Sequence, residues 1–300
     1  MKKLSLPVYF YALSAMFFWG MSFIWSSILL KYYQPITIIF IRLILSSIFL
    51  FIIIFIFRKW ERMRQKDIKW FFLSALFNPF FYFLGENYGL KFSSSTITSV
   101  IIATIPVFSP LAAYLAFREK LRWFNLAGIA ISFGGITIML LSIGQQLEMS
   151  GIGMLCLAGA VFSALIYSVL LKKLSESYSP LFIIAIQNFI GIFLFLPLFL
   201  LFESRQAFTI IPNREIISSI LFLAILASSL SFVFYAHSIK ILGVSKANVF
   251  SNLIPVFTAL FSFFILDERF TVQKILGILI VITGVYISEL NRKRIRRQTL

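Results

Sequence analysis

Long apolar runs alternate with short polar connections along almost the whole chain. Ten such runs are read at about 8–30, 36–57, 68–89, 95–117, 122–142, 151–172, 180–202, 216–239, 246–266 and 271–289. Each approaches the ~20 residues that a helix needs to cross a bilayer. The pattern predicts an all-α integral membrane fold of ten transmembrane helices. The connections between runs leave no room for a separate soluble domain, and polar residues inside the runs are few enough that each one is informative.

The second half of the pattern repeats the first. Ile105-Pro106-Val107-Phe108 returns as Ile254-Pro255-Val256-Phe257. At the same offset Gly128 matches Gly277 and Gly135 matches Gly284. Nearer the start, Tyr33-Gln34-Pro35 matches Tyr178-Ser179-Pro180, each proline opening a helix where its missing N–H costs little. The expected units are 1–144 and 145–290, with a basic tail at 291–300. Five runs per unit is an odd number, so the second unit enters the membrane from the opposite side. Such inverted repeats support alternating access around a central site. Pro106 and Pro255 fall inside their runs, where a proline frees a carbonyl and kinks a helix; paired breaks of this kind point to a transport pathway.

Composition agrees with a lipid environment: 60% of residues are hydrophobic and 13% charged. The net charge of +16 is unevenly placed. With the N-terminus inside, the inner connections and the tail hold 20 of the 27 Lys and Arg residues and the outer connections six. That bias predicts a multi-pass protein of the cell inner (plasma) membrane with both termini cytoplasmic. The basic tail reads as a contact with lipid headgroups, not with nucleic acid. The first run, although preceded by Lys2 and Lys3, is read as a retained span; it is long for a signal peptide and lacks a clear cleavage site. The single cysteine, Cys156, lies within a span and is read as packing.

The order Pro-Val-Phe, apolar run, acidic residue and spaced glycines occurs twice, as Pro106-Val107-Phe108…Glu119…Gly128…Gly135 and as Pro255-Val256-Phe257…Asp267-Glu268…Gly277…Gly284. It resembles the EamA-type family of the drug/metabolite transporter superfamily. The resemblance implies ten helices in two inverted five-helix EamA repeats and export of small metabolites, with amino acids and related compounds the familiar cargo. Other branches carry nucleotide sugars, phosphorylated sugars or drugs. A lipid or head-group flippase and a drug efflux carrier therefore stand as alternatives to a metabolite exporter.

The candidate substrate-binding residues are the polar and aromatic groups inside the runs. Arg42 is the most costly of them and should face the bundle interior with a partner; an arginine at this place is also what the family resemblance implies. Glu86, at similar depth, is the expected partner, directly or through water. Arg42 suits a carboxylate or phosphate on the cargo, and Glu86 an amine or a coupling proton. Tyr82 shares a helical stripe with Glu86 and Asn78, and Asn87 lies beside it. Tyr235 stands on the matching run of the second half, and the two stripes are expected to meet at the two-fold axis. Gln187 takes the place of Arg42 in the second half. Asn252 precedes Pro255 by about a turn, with Asn248 a turn earlier. Trp19, central in the first run, is expected as a wall or gate, and Tyr167 as a further aromatic contact. Glu119 and Glu268 are expected to cap helix starts.

The chemistry of an enzyme is missing. His237 is the only histidine, no nucleotide-binding G-x-x-x-x-G-K-[ST] loop occurs, and no nucleophile–base spacing stands out. No cofactor, metal or catalytic residue is expected. The expected partners are a small-molecule substrate, the bilayer and a coupling proton, for a monomer or homodimer driven by a gradient.

Overall fold

The computed structural model describes residues 6–118, 123–141, 150–266 and 272–289. Regular structure among the described residues is helical throughout, with no strand. The helical stretches are α1 (Leu6–Leu29), α2 (Pro35–Ile56), α3 (Gln65–Lys91), α4 (Ser95–Phe117), α5 (Trp123–Leu141), α6 (Gly151–Ser175), α7 (Pro180–Ala207), α8 (Arg214–Leu242), α9 (Val244–Ile265) and α10 (Val272–Glu289). Eight of them, α1–α4 and α6–α9, are long and apolar enough to cross a membrane; α5 and α10 contain the shorter apolar stretches Leu126–Gly135 and Ile275–Ile287. Large apolar side chains such as Leu155, Leu201 and Phe264 lie exposed on the outside of the bundle. In water that surface would be a liability, whereas in a bilayer it is the solvated face. The chain is a multi-pass membrane protein.

The packing has a simple order. α2 packs on α7, α4 on α9 and α5 on α10; α1 packs on α8 and α9, and α6 on α3 and α4. Exchanging α1–α5 for α6–α10 maps this set of neighbours onto itself. The repeated glycines lie on the same exchange. A Cβ on Gly135 would come within 2.7 Å of the Gly277 carbonyl, and one on Gly284 within 2.6 Å of the Gly128 carbonyl. The four matched glycines thus let α5 and α10 cross backbone to backbone.

The face on which α1 begins is here the near face. There the α2–α3 connection meets the α6–α7 connection, and Glu61 accepts the Ser179 N–H at 3.1 Å just before Pro180 opens α7. On the far face Glu203, near the end of α7, accepts the N–H of Ile36 at 3.2 Å and that of Thr37 at 2.6 Å, just after Pro35 opens α2. Gln34, the residue before Pro35, makes no side-chain cap of its own. Each of these adjacent helices therefore receives a carboxylate cap from the stretch that ends the other.

The prolines of the repeated block do not kink continuous helices. α4 turns at Ala103 (ψ 0°) and restarts at Ile105, placing Pro106 at the second residue of the new segment. α9 tightens into a 3₁₀ turn at Phe250–Leu253 and resumes its α-helix at Ile254-Pro255. The break precedes the proline in both, so the missing N–H falls where no intrahelical partner exists. Glu119 and Glu268, expected as caps, lie outside the described residues.

Candidate functional site

The site is built on two broken helices, α3 and α8. α3 opens into wide turns at Leu76–Phe81, where Asn78 is extended (φ −146°, ψ 118°), the conformation favoured before a proline such as Pro79. α8 opens likewise at Leu223–Leu230. Such openings release carbonyls that need new donors inside a membrane. Ser163 of α6 donates its hydroxyl to the Phe77 carbonyl at 2.6 Å, and Trp19 of α1 donates its indole N–H to the Ala227 carbonyl at 3.2 Å. Each donor, in α1 or α6, and each acceptor, in α3 or α8, falls within one residue of the place its counterpart takes in the other half.

Beside the α3 break, and bounded on α8 by Phe232 and Tyr235 just past its opened turn, lies a cavity of about 30 Å³. By the rule of ~10–15 Å³ per water, that is room for about two waters. Its wall carries Trp19, Asn78, Tyr82, Tyr167, Ser168, Tyr235 and Asn248, among others. Tyr82 of α3 and Tyr235 of α8 both stand on this wall. Trp19 sets its ring 4.9 Å from Phe232 and 5.0 Å from Tyr235. Tyr235 bonds to the Asn248 side chain and lies 3.0 Å from the Ser168 hydroxyl, tying α6, α8 and α9 together at one end of the cavity.

Arg42 lies behind this wall and is 2% exposed. Its Nε donates to the Ser228 hydroxyl in the opened turn of α8 at 2.7 Å, and its guanidinium carbon lies 4.1 Å above the Phe83 ring. The two contacts fix the guanidinium plane. Glu86 accepts a hydrogen bond from Tyr82 at 2.9 Å. A direct Arg42–Glu86 ion pair, expected from their equal depth, is not among the contacts of the described residues, although the charges lie close enough to interact electrostatically. Below Arg42, Asn188 donates to the Ser46 hydroxyl at 2.7 Å and to the Ser228 carbonyl at 3.1 Å. Ser46 in turn lies 2.6 Å from the Ser229 hydroxyl.

Four of the nine residues expected from the sequence, Trp19, Tyr82, Tyr167 and Tyr235, are brought to the cavity wall. Arg42, Glu86, Asn87, Gln187 and Asn252 are all buried, but they are not part of that wall. Gln187 bonds to Ser74 and accepts from the Tyr167 hydroxyl at 3.4 Å, bracing the wall from behind. Asn87 gives its amide nitrogen to the Phe83 carbonyl at 3.0 Å. The Asn252 side-chain nitrogen is buried in the α9 break with no hydrogen-bond partner among the described residues. Ser168 and Ser251 of the wall, and Ser228 beside Arg42, were not singled out from the sequence. A serine inside an apolar run looks the same whether it lines a cavity or bonds to its own helix. A second hollow, about 480 Å³, opens on the outer surface of α2 and α7, where Ser47 is the one polar group among apolar side chains such as Phe51, Phe55 and Phe189.

The sequence profile of the EamA-like transporter family matches residues 6–141 and again residues 151–290. The chain belongs to the EamA-like transporter family. Relatives of this EamA-like protein include an uncharacterized transporter of Archaeoglobus fulgidus, 27% identical over 273 residues that cover 90% of this chain and 94% of that one. Another is the uncharacterized transporter YetK of Bacillus subtilis, 24% identical over 258 residues, or 85% and 78% of the two chains. A crystal structure of a protein at 16% identity superposes on the EamA-like chain with a TM-score of 0.80, covering 96% of it and 100% of the other, a likeness of fold alone. With its family, its spans and its relatives, this chain is a membrane transporter.

Proposed function

We propose that this transporter exports amino acids or similar small zwitterionic metabolites from the cell by alternating access. It does so as ten spans in two inverted five-helix repeats, 1–144 and 145–290, in the plasma membrane with both termini cytoplasmic. The observation that carries the reading is the pair of broken helices, α4 and α9, whose breaks both line one cavity through Ile102 and Ile105 and through Ser251 and Ile254. Opened helices in corresponding places of two halves are where secondary transporters hold cargo. A cavity of about 30 Å³ is too small for a metabolite, so cargo enters as one set of helices moves against the other.

A zwitterion needs one group for each charge. Arg42, held in a fixed plane, takes the carboxylate, and Glu86 takes the amine or the coupling proton. Glu86 reaches the cavity through Tyr82, which lines the wall and bonds it, while Arg42, held by Ser228 and Phe83, stands behind that wall. The neutral amide of Gln187 at the place corresponding to Arg42 makes the site electrically lopsided, which favours one binding orientation. A flippase reading draws no support from the hollow on α2 and α7, whose apolar lining offers no pocket for a headgroup.

The test is metabolite profiling of the medium from cells overproducing the wild-type chain, Arg42→Ala, or neither. The expected result is one or a few zwitterionic metabolites accumulating outside wild-type cells and returning to the empty-vector level in the variant. Identical media from wild-type and empty-vector cells overturn export.

A further inference from the structure

The segment joining α2 to α3 concentrates unspent positive charge on the near face. Between Phe57 and Asp67 it holds Arg58, Lys59, Arg62, Arg64 and Lys66 against two acids, Glu61 and Asp67. Both acids are used internally. Glu61 caps the start of α7 through Ser179, and Asp67 accepts the Tyr178 hydroxyl at 2.8 Å. The five cations are exposed, and none has an ion-pair partner among the described residues. Two large rings stand among them, Phe57 and Trp60, 66% and 67% exposed. Trp60 lies 6.1 Å from the Phe51 ring of α2 and 6.0 Å from the Phe182 ring of α7, so it stands beside the near-face ends of these two spans. Aromatic rings there beside unpaired cations match a headgroup region of negative charge.

We propose that residues 57–66 bind anionic phospholipid headgroups, the cations taking the lipid phosphate while Phe57 and Trp60 sit against the upper acyl chains. The two spent acids give this binding a reach beyond anchoring. Because Glu61 and Asp67 grip Ser179 and Tyr178, lipid that orders the segment also steadies the start of α7 in the other half of the molecule. The proposal is independent of what is transported.

The test is an equilibrium measurement on the purified full-length chain in mixed micelles of phosphatidylglycerol and phosphatidylcholine, with co-captured lipid quantified. At low salt the wild-type protein should retain the anionic lipid about tenfold over the zwitterionic one, since each basic group near an anionic surface contributes appreciably. Raising salt to about 0.5 M should erase most of that preference. The combined variant Lys59→Gln, Arg62→Gln, Lys66→Gln, which leaves Glu61 and Asp67 in place, should lose most of it at low salt. Equal retention of the two lipids by the wild-type protein overturns the proposal, a result that does not depend on any variant folding. An undiminished preference in the triple variant overturns it as well.

Discussion

The indole N–H of Trp19 is bonded to the carbonyl of Ala227, 208 residues away in the chain, at the point where α8 opens. The bond converts a backbone defect into a fixed joint between α1 and α8. Trp19→Phe keeps the ring against Phe232 and Tyr235 but leaves that carbonyl without its donor. We expect a loss of about 1 kcal/mol, as for other hydrogen bonds between membrane helices. Ser163→Ala, which removes the corresponding donor from the Phe77 carbonyl, should cost a similar amount. Thermal unfolding in detergent measures both; no change in either variant would mean that another donor replaces the lost one.

Close crossing of α5 and α10 makes a steric prediction. Gly135→Val and Gly284→Val each place side-chain atoms where the partner's backbone now lies, at virtual-Cβ distances of 2.7 Å and 2.6 Å from its carbonyls. Each should destabilise the pair by about 1–3 kcal/mol, seen as a lower unfolding temperature and less protein in the membrane. Gly159→Val, with nothing within 4 Å of its Cβ position, is the control and should behave as wild type.

Arg42→Lys tests the planar guanidinium. A lysine keeps the charge but cannot offer its face to Phe83 while bonding Ser228 and a carboxylate together. Transport of the cargo into inverted vesicles should fall by about tenfold or more, consistent with loss of a bidentate contact worth ~1.4 kcal/mol or more. Wild-type rates in this variant would remove Arg42 from the cargo site.

Glu86→Gln separates binding an amine from carrying a proton. If Glu86 carries the coupling proton, the variant should exchange cargo between the two sides but no longer concentrate it in response to a pH gradient. The measurement is labelled-cargo uptake into proteoliposomes with and without the gradient. Gradient-driven uptake that survives the substitution assigns the coupling proton elsewhere.

Much of this arrangement was legible in one sequence because lipid imposes a simple code. Apolar runs of span length become helices, and glycines repeated at a fixed offset mark a place where two helices touch. Burial of Arg42 followed from its position well inside an apolar run. Its contacts did not: depth puts Arg42 level with Glu86, but only the rotation of α2 decides that it turns to Ser228 and Phe83. The α3 break had its signal in Pro79, which forces the preceding residue out of helical geometry. Reading Asn78 as part of an unbroken stripe overlooked that constraint. The caps from Glu61 and Glu203 carried no local signal, since each joins residues more than a hundred positions apart.

Those two caps also differ in when they can form. Glu61 is already synthesised when Ser179 and α7 emerge, so the acceptor for the start of α7 is present from the outset. α2 is made early, yet its own cap, Glu203, arrives only after α7 has been completed. The carboxylate that caps α2 therefore belongs to the other half of the protein. A chain ending before Glu203, two-thirds of the way along, would start α2 without that acceptor for its Ile36 and Thr37 N–H groups.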